Sequence, residues 1–303
     1  MTLTLSARLE RTAAEHPHST ALILGENRMT YAELQDQSQR LAGLMRQEGI
    51  GPGDRVALMV PNIPAFPVVF FAALQLGAVV VPMNPLFKRR EIEYYLEDSG
   101  ASMLWSVPSE EAVEGARERG VPLRTLGEDG LAPHLAESPG PVTETVERDL
   151  EDDAVILYTS GTTSTPKGAM MSHRALVAEY LSSIIALDFT AEDRPLVAMP
   201  LYHSAAMHVF LLPYLSLGAT VRLLAAPDIP RMLELVETEH IGSLFLAPTV
   251  WVPLANHPDL ATRDLSSLRK AQYGASIMPV TVLQRLRQSQ PGIGFYNCFG
   301  QSE

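Results

Sequence analysis

Short aliphatic and β-branched segments alternate with longer helical ones along most of this sequence, and this alternation restricts the fold more than any other feature. We predict strands at residues 55–60, 78–81, 102–107, 154–157, 243–246, 270–273 and 293–297. We predict helices at residues 65–76, 91–97, 110–119, 173–187, 231–240, 248–256 and 279–288. Chains in which strands and helices take turns build parallel sheets covered by helices. The sequence therefore predicts an α/β fold.

Three stretches refine this pattern. Thr30 is followed three residues later by Glu33, which matches a capping box, and Gly49 supplies a stop for the helix that it begins. Residues 110–149 are rich in glycine, proline and acidic residues, so we predict an exposed connection with one helix, at residues 110–119. The charge-free run at residues 195–221 predicts a further strand, helix and strand.

The composition limits the partners and the compartment of the chain. Its 303 residues, 46% hydrophobic and 19% charged, are typical of a globular protein with room for two sub-domains. A net charge of −12 argues against a nucleic-acid or membrane-surface binder, and a homodimer stays open. Cys298 is the single cysteine, so we expect a reducing, cytoplasmic location. We expect no signal peptide, and no membrane span, because prolines and a glycine interrupt the charge-free run at residues 56–87.

One segment cannot contribute to a core and predicts chemistry instead. Between Thr159 and Thr165 stand only hydroxyl residues and glycine, namely Ser160, Gly161, Thr162, Thr163 and Ser164. Backbone amides and hydroxyls in such a run can bind an anion, with Lys167 as a mobile positive charge. The order of residues differs from a Walker loop, because Pro166, Lys167 and Gly168 close the segment. We predict a phosphate-binding loop; a Ser/Thr-rich surface turn is the alternative.

The run from Tyr158 to Arg174 resembles the signature loop of the adenylate-forming, or AMP-binding, enzymes. This family includes acyl-CoA synthetases, adenylation domains of peptide synthetases and luciferases. Ser164 stands where the family usually has glycine. Residues 30–34, 53–57 and 76–85 are also similar to the family, and we assign them to packing. The resemblance covers essentially the whole chain and is strongest to acyl-CoA synthetases such as long-chain fatty-acid–CoA ligases.

The resemblance implies the large N-terminal domain of that fold, with two stacked, predominantly parallel β-sheets and flanking helices. Residues 51–196 would form a first sub-domain with the phosphate-binding loop, and residues 1–50 and 197–303 a second. The site would lie in the crevice between them, at the carboxyl ends of the strands. Family members continue with a barrel part and a small C-terminal domain that carries a catalytic lysine. Neither follows Glu303, so we expect this chain alone to be incomplete, and inactive or nearly so.

Several residues acquire predicted acyl-site roles from the same resemblance. His203 matches the family segment between the nucleotide and acyl sites, where a histidine or aromatic residue packs by the reacting carboxylate. Met207, Trp251 and Gly274 would contact the acyl substrate. Simple core packing is the alternative for His203, Met207 and Trp251.

Two further segments would bind the nucleotide and its metal. The first, which the family usually writes as Gly-Ala-Pro, consists here of Gly274, Ala275 and Ser276. The second resembles an aromatic-Gly-x-Thr-Glu motif and consists of Asn297, Cys298, Phe299, Gly300, Gln301, Ser302 and Glu303. Phe299 would stack on adenine, Ser302 would donate its hydroxyl to the α-phosphate, and Glu303 would bind Mg²⁺ together with Thr159. We interpret Cys298 as a small buried side chain rather than a nucleophile.

The implied reaction joins a carboxylic acid to ATP as an acyl-adenylate, and coenzyme A then displaces AMP. Lys167, His203, Ser302 and Glu303 would be the catalytic residues. The charge-free residues 195–221 and 244–254 favour a fatty or other apolar acid. An acidic residue in the acyl pocket would favour an amino-acid substrate, and the matching segments contain none, which favours a fatty or aryl acid. Two alternatives stay open. One is a carrier-protein-loading adenylation enzyme for aryl or amino acids; the other is a non-catalytic nucleotide-binding or regulatory fragment.

Overall fold

The computed structural model describes residues 4–159 and 165–301 and contains two β-sheets with helices on their faces. The strands are β1 Thr20–Leu24, β2 Asn27–Thr30, β3 Arg55–Met59, β4 Val79–Pro82, β5 Ala101–Ser106, β6 Leu123–Thr125, β7 Asp153–Thr159, β8 Lys167–Ser172, β9 Pro195–Val197, β10 Val221–Leu223, β11 Ser243–Leu246, β12 Lys270–Gly274 and β13 Gly294–Cys298. The α-helices are α1 Leu5–Glu15, α2 Tyr31–Gln47, α3 Ala65–Gln75, α4 Arg89–Ser99, α5 Glu110–Arg119, α6 Ala132–Glu137, α7 His173–Ala186, α8 Leu212–Leu217, α9 Ile229–Thr238, α10 Pro248–Ala255 and α11 Val280–Ser289. A π-helix spans Ala205–Leu211, and a short 3₁₀-helix spans Pro258–Ala261.

Both sheets are mostly parallel, and each has an antiparallel strand at one edge. The six-stranded sheet has the order β6-β5-β3-β4-β7-β8, in which β8 runs antiparallel to β7. The seven-stranded sheet has the order β13-β12-β11-β9-β10-β1-β2, in which β2 runs antiparallel to β1. The predicted α/β fold of two predominantly parallel sheets is therefore confirmed.

The two sheets share a central core, and alternate residues of their strands face in opposite directions. In β3, Val56 and Leu58 join the central cluster, while Ala57 and Met59 join an outer cluster with helices α4 and α5. In β11, Phe245 joins the central cluster, while its neighbours pack against helices α9, α10 and α11. Helices α1, α2, α3, α7 and α8, the π-helix and further strands of both sheets also contribute to the central core. The layers therefore alternate helix, sheet, helix, sheet, helix.

Capping residues in the sequence correctly predicted where helices α2 and α5 begin. The Thr30 hydroxyl accepts a hydrogen bond from the Glu33 N–H at 3.2 Å, and the Glu33 carboxylate accepts one from the Thr30 N–H at 2.7 Å. Helix α2 therefore begins with the predicted capping box. Helix α5 spans the predicted residues, and Ser109 caps its first turn.

Some predictions were wrong or incomplete. Residues 110–149 do not form a connection with a single helix, because they also contain β6 and α6, and the Val142 N–H bonds to the Gln39 carbonyl at 2.9 Å. We predicted that residues 166–168 close the phosphate-binding segment, and we did not predict the edge strand β8, which begins at Lys167. Helix α1 and the β1–β2 hairpin were not predicted.

The strands divide between the sheets by position in the chain. Strands β3 to β8 form one sheet, and β1, β2 and β9 to β13 form the other. The predicted boundary after residue 196 falls inside β9, and the division into two sub-domains stays a prediction. Within the ranges that the structure describes, no helix combines the length and the apolar character needed to cross a bilayer.

Candidate functional site

Several of the predicted site residues that the structure describes lie at or after the ends of parallel strands. Thr159 is the last residue of β7, Gly274 ends β12 and Cys298 ends β13. His203 lies in the turn between β9 and the π-helix. Because the carboxyl ends of parallel strands share one edge of a sheet, the structure brings the segments at residues 203, 274 and 298 to a common edge of the seven-stranded sheet.

Asn62 links this edge to the other sheet, and the sequence analysis did not identify it. It follows the carboxyl end of β3 and is 2% exposed. Its amide nitrogen donates to the Met199 carbonyl at 2.9 Å and to the Leu224 carbonyl at 3.1 Å. Its amide oxygen accepts from the Leu201 N–H at 2.9 Å. In the sequence, its signal was an amide side chain that interrupts an apolar run.

A β-hairpin forms the base of the predicted phosphate-binding loop. Thr159 of β7 pairs with Lys167 of β8, and Tyr158 pairs with Gly168. A Cβ atom on Gly168 would lie 2.7 Å from Ile156 Cγ2, so glycine permits the close approach of the two strands. Ser160, Gly161, Thr162, Thr163 and Ser164 lie outside the described residues. The paired residues Thr159 and Lys167 lie on either side of that segment in the sequence.

Lys167 carries the positive charge of this hairpin. Its side chain is exposed, and it makes no ion pair with any residue in the described ranges. The ammonium group is therefore accessible to an anion held above the hairpin. A point charge on a flexible stem can follow a phosphate group over a range of positions.

The ends of β12 and β13 approach each other very closely. A Cβ atom on Gly274 would lie 2.4 Å from the Cys298 carbonyl oxygen, so no other residue fits there without a backbone shift. The next residue, Ala275, has a φ of 67°, which is rare for a residue with a side chain. Ala275 and Ser276 are both exposed. The segment therefore presents small side chains and a strained backbone to solvent, a combination that occurs at binding sites.

The segment after β13 is open to solvent. Phe299 is 93% exposed, and Asn297, Gly300 and Gln301 are exposed too. Burial raises the pKa of the Cys298 thiol to about 11. The thiol is therefore protonated near neutral pH, which fits a packing role. Ser302 and Glu303 lie outside the described residues.

His203 connects a turn to the π-helix. Its N–H donates to the Pro200 carbonyl at 3.2 Å, and its carbonyl accepts from the Met207 N–H at 3.2 Å. The imidazole is exposed, with its centroid 4.5 Å from that of the Tyr202 ring. Surrounding protein atoms remove part of its hydration, which lowers the pKa of His203. A neutral imidazole, able to donate or accept a hydrogen bond, therefore predominates near neutral pH.

Met207 and Trp251 lie in the core. Both are 0% exposed, and the Trp251 indole N–H donates to the Gln272 carbonyl at 3.0 Å. Met207 packs in the central cluster between the sheets, and Trp251, a residue of α10, packs in the cluster that α10 forms with α9 and α11. Their visible contacts are those of packing residues, and substrate contact stays a prediction for both.

The predicted metal ligands are only partly described. Thr159 supplies a hydroxyl oxygen at the end of β7, whereas Glu303 lies outside the described residues. Residues 4–159 and 165–301 contain no cluster of three or more His, Cys, Asp or Glu side chains that could hold a metal. Binding of Mg²⁺ by Thr159 and Glu303 stays a prediction.

Comparisons with known proteins give a consistent result. A family model described as AMP-binding enzyme matches residues 9–303. The sequence is 38% identical to a feruloyl-CoA synthase of Amycolatopsis sp over 97% of this chain and 58% of the relative. It is 32% identical to 4-coumarate–CoA ligase 3 of Oryza sativa subsp. japonica over 90% of this chain and 51% of the relative. The chain therefore spans between 51% and 58% of the length of these two relatives.

Solved structures agree with the fold. The N-terminal domain of FACL13 from Mycobacterium tuberculosis matches with a TM-score of 0.91 and 26% identity, over 100% of this chain and 77% of that chain. ATP-bound MatB from Rhodopseudomonas palustris matches with a TM-score of 0.92 and 27% identity, over 100% of this chain and 60% of that chain.

Proposed function

The chain belongs to the AMP-binding enzyme family, and from that membership we propose that it activates a carboxylic acid with ATP and passes the acyl group to coenzyme A. Relatives named as feruloyl-CoA synthase and 4-coumarate–CoA ligase support this reaction class. Because the chain spans between 51% and 58% of their length, the activity of the whole protein is part of the proposal.

The observation that carries the proposal is the β7–β8 hairpin. It joins the ends of a segment made only of hydroxyl residues and glycine, and it presents the exposed Lys167 beside Thr159 at the carboxyl end of a parallel strand. Amides, hydroxyls and one ammonium group are the donors that bind phosphate oxygens. An anionic ligand at this position therefore has local partners, although the chain carries a net charge of −12.

The proposed chemistry has two steps. The substrate carboxylate attacks the α-phosphorus of ATP, an acyl–phosphate bond forms, and pyrophosphate leaves with the electrons of the broken P–O bond. The thiolate of coenzyme A then attacks the acyl carbon and expels AMP. The first step joins two anions, so Lys167 would reduce their repulsion and Ser302 would donate a hydrogen bond to the α-phosphate.

Mg²⁺ would accompany the nucleotide. Thr159 and Glu303 are the residues that would hold it, as oxygen ligands beside the phosphates. When bound, the metal would neutralise phosphate charge.

His203 would pack against the reacting carboxylate. Its lowered pKa supports this role, because a neutral imidazole neither traps the carboxylate in an ion pair nor repels a cation. The ring can still donate a hydrogen bond to a carboxylate oxygen and so orient it for attack.

For the substrate, we propose an acid with an apolar body, either aryl or fatty. No acidic residue occurs at 200–208, 246–251 or 273–276, so these segments offer no partner for the ammonium group of an amino acid. The feruloyl- and coumarate-specific names of the relatives make hydroxycinnamic acids the first candidates. Loading of a carrier protein with an aryl or amino acid and a non-catalytic nucleotide-binding role are the alternatives. A cytoplasmic location and a homodimer remain part of the proposal.

Acid-dependent exchange of radiolabelled pyrophosphate into ATP tests this proposal. The acids would be ferulate, a medium-chain fatty acid and phenylalanine, with Lys167→Ala as the variant. In a longer product of the same gene we expect exchange with ferulate or the fatty acid, and its loss in Lys167→Ala. The 303-residue chain alone should exchange little or not at all. Preferential exchange with phenylalanine would favour the carrier-protein alternative. ATP binding without exchange for any acid would favour the non-catalytic one.

A further inference from the structure

Helix α4 contacts strand β7 and the residue that precedes strand β8 through side chains one helical turn apart. The Tyr94 hydroxyl donates to the Pro166 carbonyl at 2.6 Å. The Asp98 carboxylate accepts a hydrogen bond from the Tyr158 hydroxyl at 2.6 Å. Residues four positions apart on a helix lie on the same face, so both contacts come from one surface of α4. We call these two hydrogen bonds the α4 clamp.

The two contacts lie immediately beside the segment at residues 160–164. Pro166 directly precedes Lys167 on the β8 side, and Tyr158 directly precedes Thr159 on the β7 side. Each end of the proposed phosphate-binding loop therefore has a hydrogen bond to a helix outside the hairpin. Strand pairing joins the hairpin to the rest of the six-stranded sheet through β4 and β7, at Val80 and Val155. The α4 contacts lie closer to the proposed phosphate-binding loop, next to Thr159 and Lys167.

Aromatic packing holds the clamp in place. The Tyr95 ring packs against Tyr158 with centroids 4.2 Å apart and planes tilted by 34°, and the Phe87 ring lies 4.7 Å from Tyr95. The ring of Tyr94 meets Tyr158 edge to face at 6.3 Å. A Cβ atom on Gly168 would lie 3.3 Å from the Tyr158 ring, so this glycine leaves room for the ring beneath β8. The hydroxyl of Tyr158 is therefore held towards Asp98.

The protonation of Tyr158 suits its role as a donor. Burial and the hydrogen bond to Asp98 raise the pKa of Tyr158 well above its ordinary value. The phenol therefore keeps its proton through the physiological range, and the contact persists there.

We propose that Tyr94 and Asp98 are positioning residues for the phosphate-binding hairpin, so that they increase nucleotide affinity without touching the nucleotide. This inference rests on the proposed function. The clamp holds the residues next to Thr159 and Lys167 in place before ATP arrives, so less conformational freedom is lost on binding. Without the clamp, the same donors would be present but would have to be ordered by the ligand.

The decisive comparison uses two neighbouring tyrosines. Tyr94→Phe removes the hydroxyl that bonds to Pro166 and keeps the ring. Tyr95→Phe removes a hydroxyl that has no hydrogen-bond partner among the described residues, and it also keeps the ring. We expect Tyr94→Phe to weaken ATP binding in the presence of Mg²⁺ about two- to tenfold by calorimetry, the effect of one hydrogen bond. Tyr95→Phe should bind as the unsubstituted chain does.

Asp98 offers a second comparison with a conservative rescue. Asp98→Ala removes the acceptor of the Tyr158 hydroxyl, whereas Asp98→Asn keeps an amide oxygen at the same position. We expect Asp98→Ala to weaken nucleotide binding and Asp98→Asn to restore most of it. A purely electrostatic role would instead strengthen binding equally in both variants, because each removes one negative charge near the phosphates; that result would overturn the inference.

Amide hydrogen exchange tests whether α4 orders the hairpin independently of whether the chain binds ATP. In the nucleotide-free chain, amides of peptides covering residues 156–168 should exchange faster in Tyr94→Phe than in Tyr95→Phe, with equal exchange elsewhere. If the unsubstituted chain binds no ATP, the proposed function fails, and exchange alone then decides whether α4 orders the hairpin. Equal exchange and equal affinity in the two variants would overturn the inference.

Discussion

Gly274 shows how one absent side chain sets the distance between two site segments. Strands β12 and β13 pair in register at Gly274 and Cys298, and a Cβ on the glycine would meet the Cys298 carbonyl oxygen at 2.4 Å. A backbone carbonyl cannot move aside as a flexible side chain can. From the sequence we predicted that Gly274 contacts the substrate and the nucleotide. In the structure, its close contact is with the neighbouring strand.

Substitution of this glycine should therefore destabilise the fold. We expect Gly274→Ala to lower the free energy of unfolding by about 1–3 kcal/mol, the usual cost of overpacking. Gly292→Ala is the matched control, because its Cβ would meet the terminal nitrogen of the Arg269 side chain at 2.6 Å, which can move. Urea denaturation of the two variants compares them directly. Equal losses would show that the β12–β13 contact is not rigid.

His173 predicts how stability changes with pH. Its side chain is 1% exposed, and burial, with a contribution from Arg148, lowers its pKa to about 4. The folded state therefore disfavours the proton that the unfolded chain binds below about pH 6.5. The contribution of neutral His173 to the free energy of unfolding is therefore fully present above about pH 6.5 and is lost as the pH falls towards 4. His208 acts in the same direction, because burial lowers its pKa to about 3.

Denaturation at pH 7 and pH 5 measures this effect. At pH 5 each of the two histidines should cost roughly 2 kcal/mol of unfolding free energy, from the difference between pH and the unfolded pKa. We expect His173→Gln to lose less stability than the unsubstituted chain over this interval. An identical pH dependence in the variant would contradict the assignment.

At the scale of single elements, helix α2 tests the value of a local signal. The Thr30 hydroxyl and the Glu33 carboxylate satisfy each other's backbone N–H groups at the first turn. We expect Thr30→Ala to destabilise the chain by about 1 kcal/mol, and Thr30→Ser to retain most of the stability because serine caps equally well. Thermal unfolding of both variants measures the difference. A loss as large in Thr30→Ser as in Thr30→Ala would assign it to packing of the threonine methyl group.

Elements with a local signal were predictable, and edge strands were not. Helix α5 has a capping serine, acidic residues in its first turn and glycine at its end, so the sequence alone set its limits. Strand β8 has no such pattern. None of its residues is buried, and Met170 is 68% exposed, so it shows no alternation of apolar and polar faces. Its conformation comes from pairing with β7, which periodicity along the chain cannot reveal.

At the scale of the whole molecule, Asn62 joins the two sheets. Its three hydrogen bonds reach backbone groups 137, 139 and 162 positions along the chain. Short motifs contain no information about contacts at such separations, which explains why the sequence analysis did not identify it. The alternation of strands and helices indicated the α/β class, whereas the pairing of two sheets entered only through the family resemblance.

Loss of the Asn62 amide should weaken the whole fold. Asn62→Ala leaves the Met199 and Leu224 carbonyls and the Leu201 N–H without these partners, so we expect a loss on the order of 2–4 kcal/mol. Asn84→Ala is the control, because it removes a single amide–backbone contact at a surface turn, the bond from the Leu86 N–H at 3.0 Å. Denaturant unfolding distinguishes them. Similar losses in both variants would mean that Asn62 does not connect the sheets energetically.

The proposed function requires that the hairpin carrying Lys167 binds the phosphates of ATP. Calorimetric titration of the chain with ATP, with and without Mg²⁺, tests it most directly. We expect Mg²⁺-dependent binding that weakens about ten- to a hundredfold in Lys167→Ala, the effect of a hydrogen bond to a charged group. Arg11→Ala, which removes an equal charge at an exposed position of helix α1, should bind as the unsubstituted chain does. Absence of binding in the folded chain, or equal affinity in Lys167→Ala, would contradict the account.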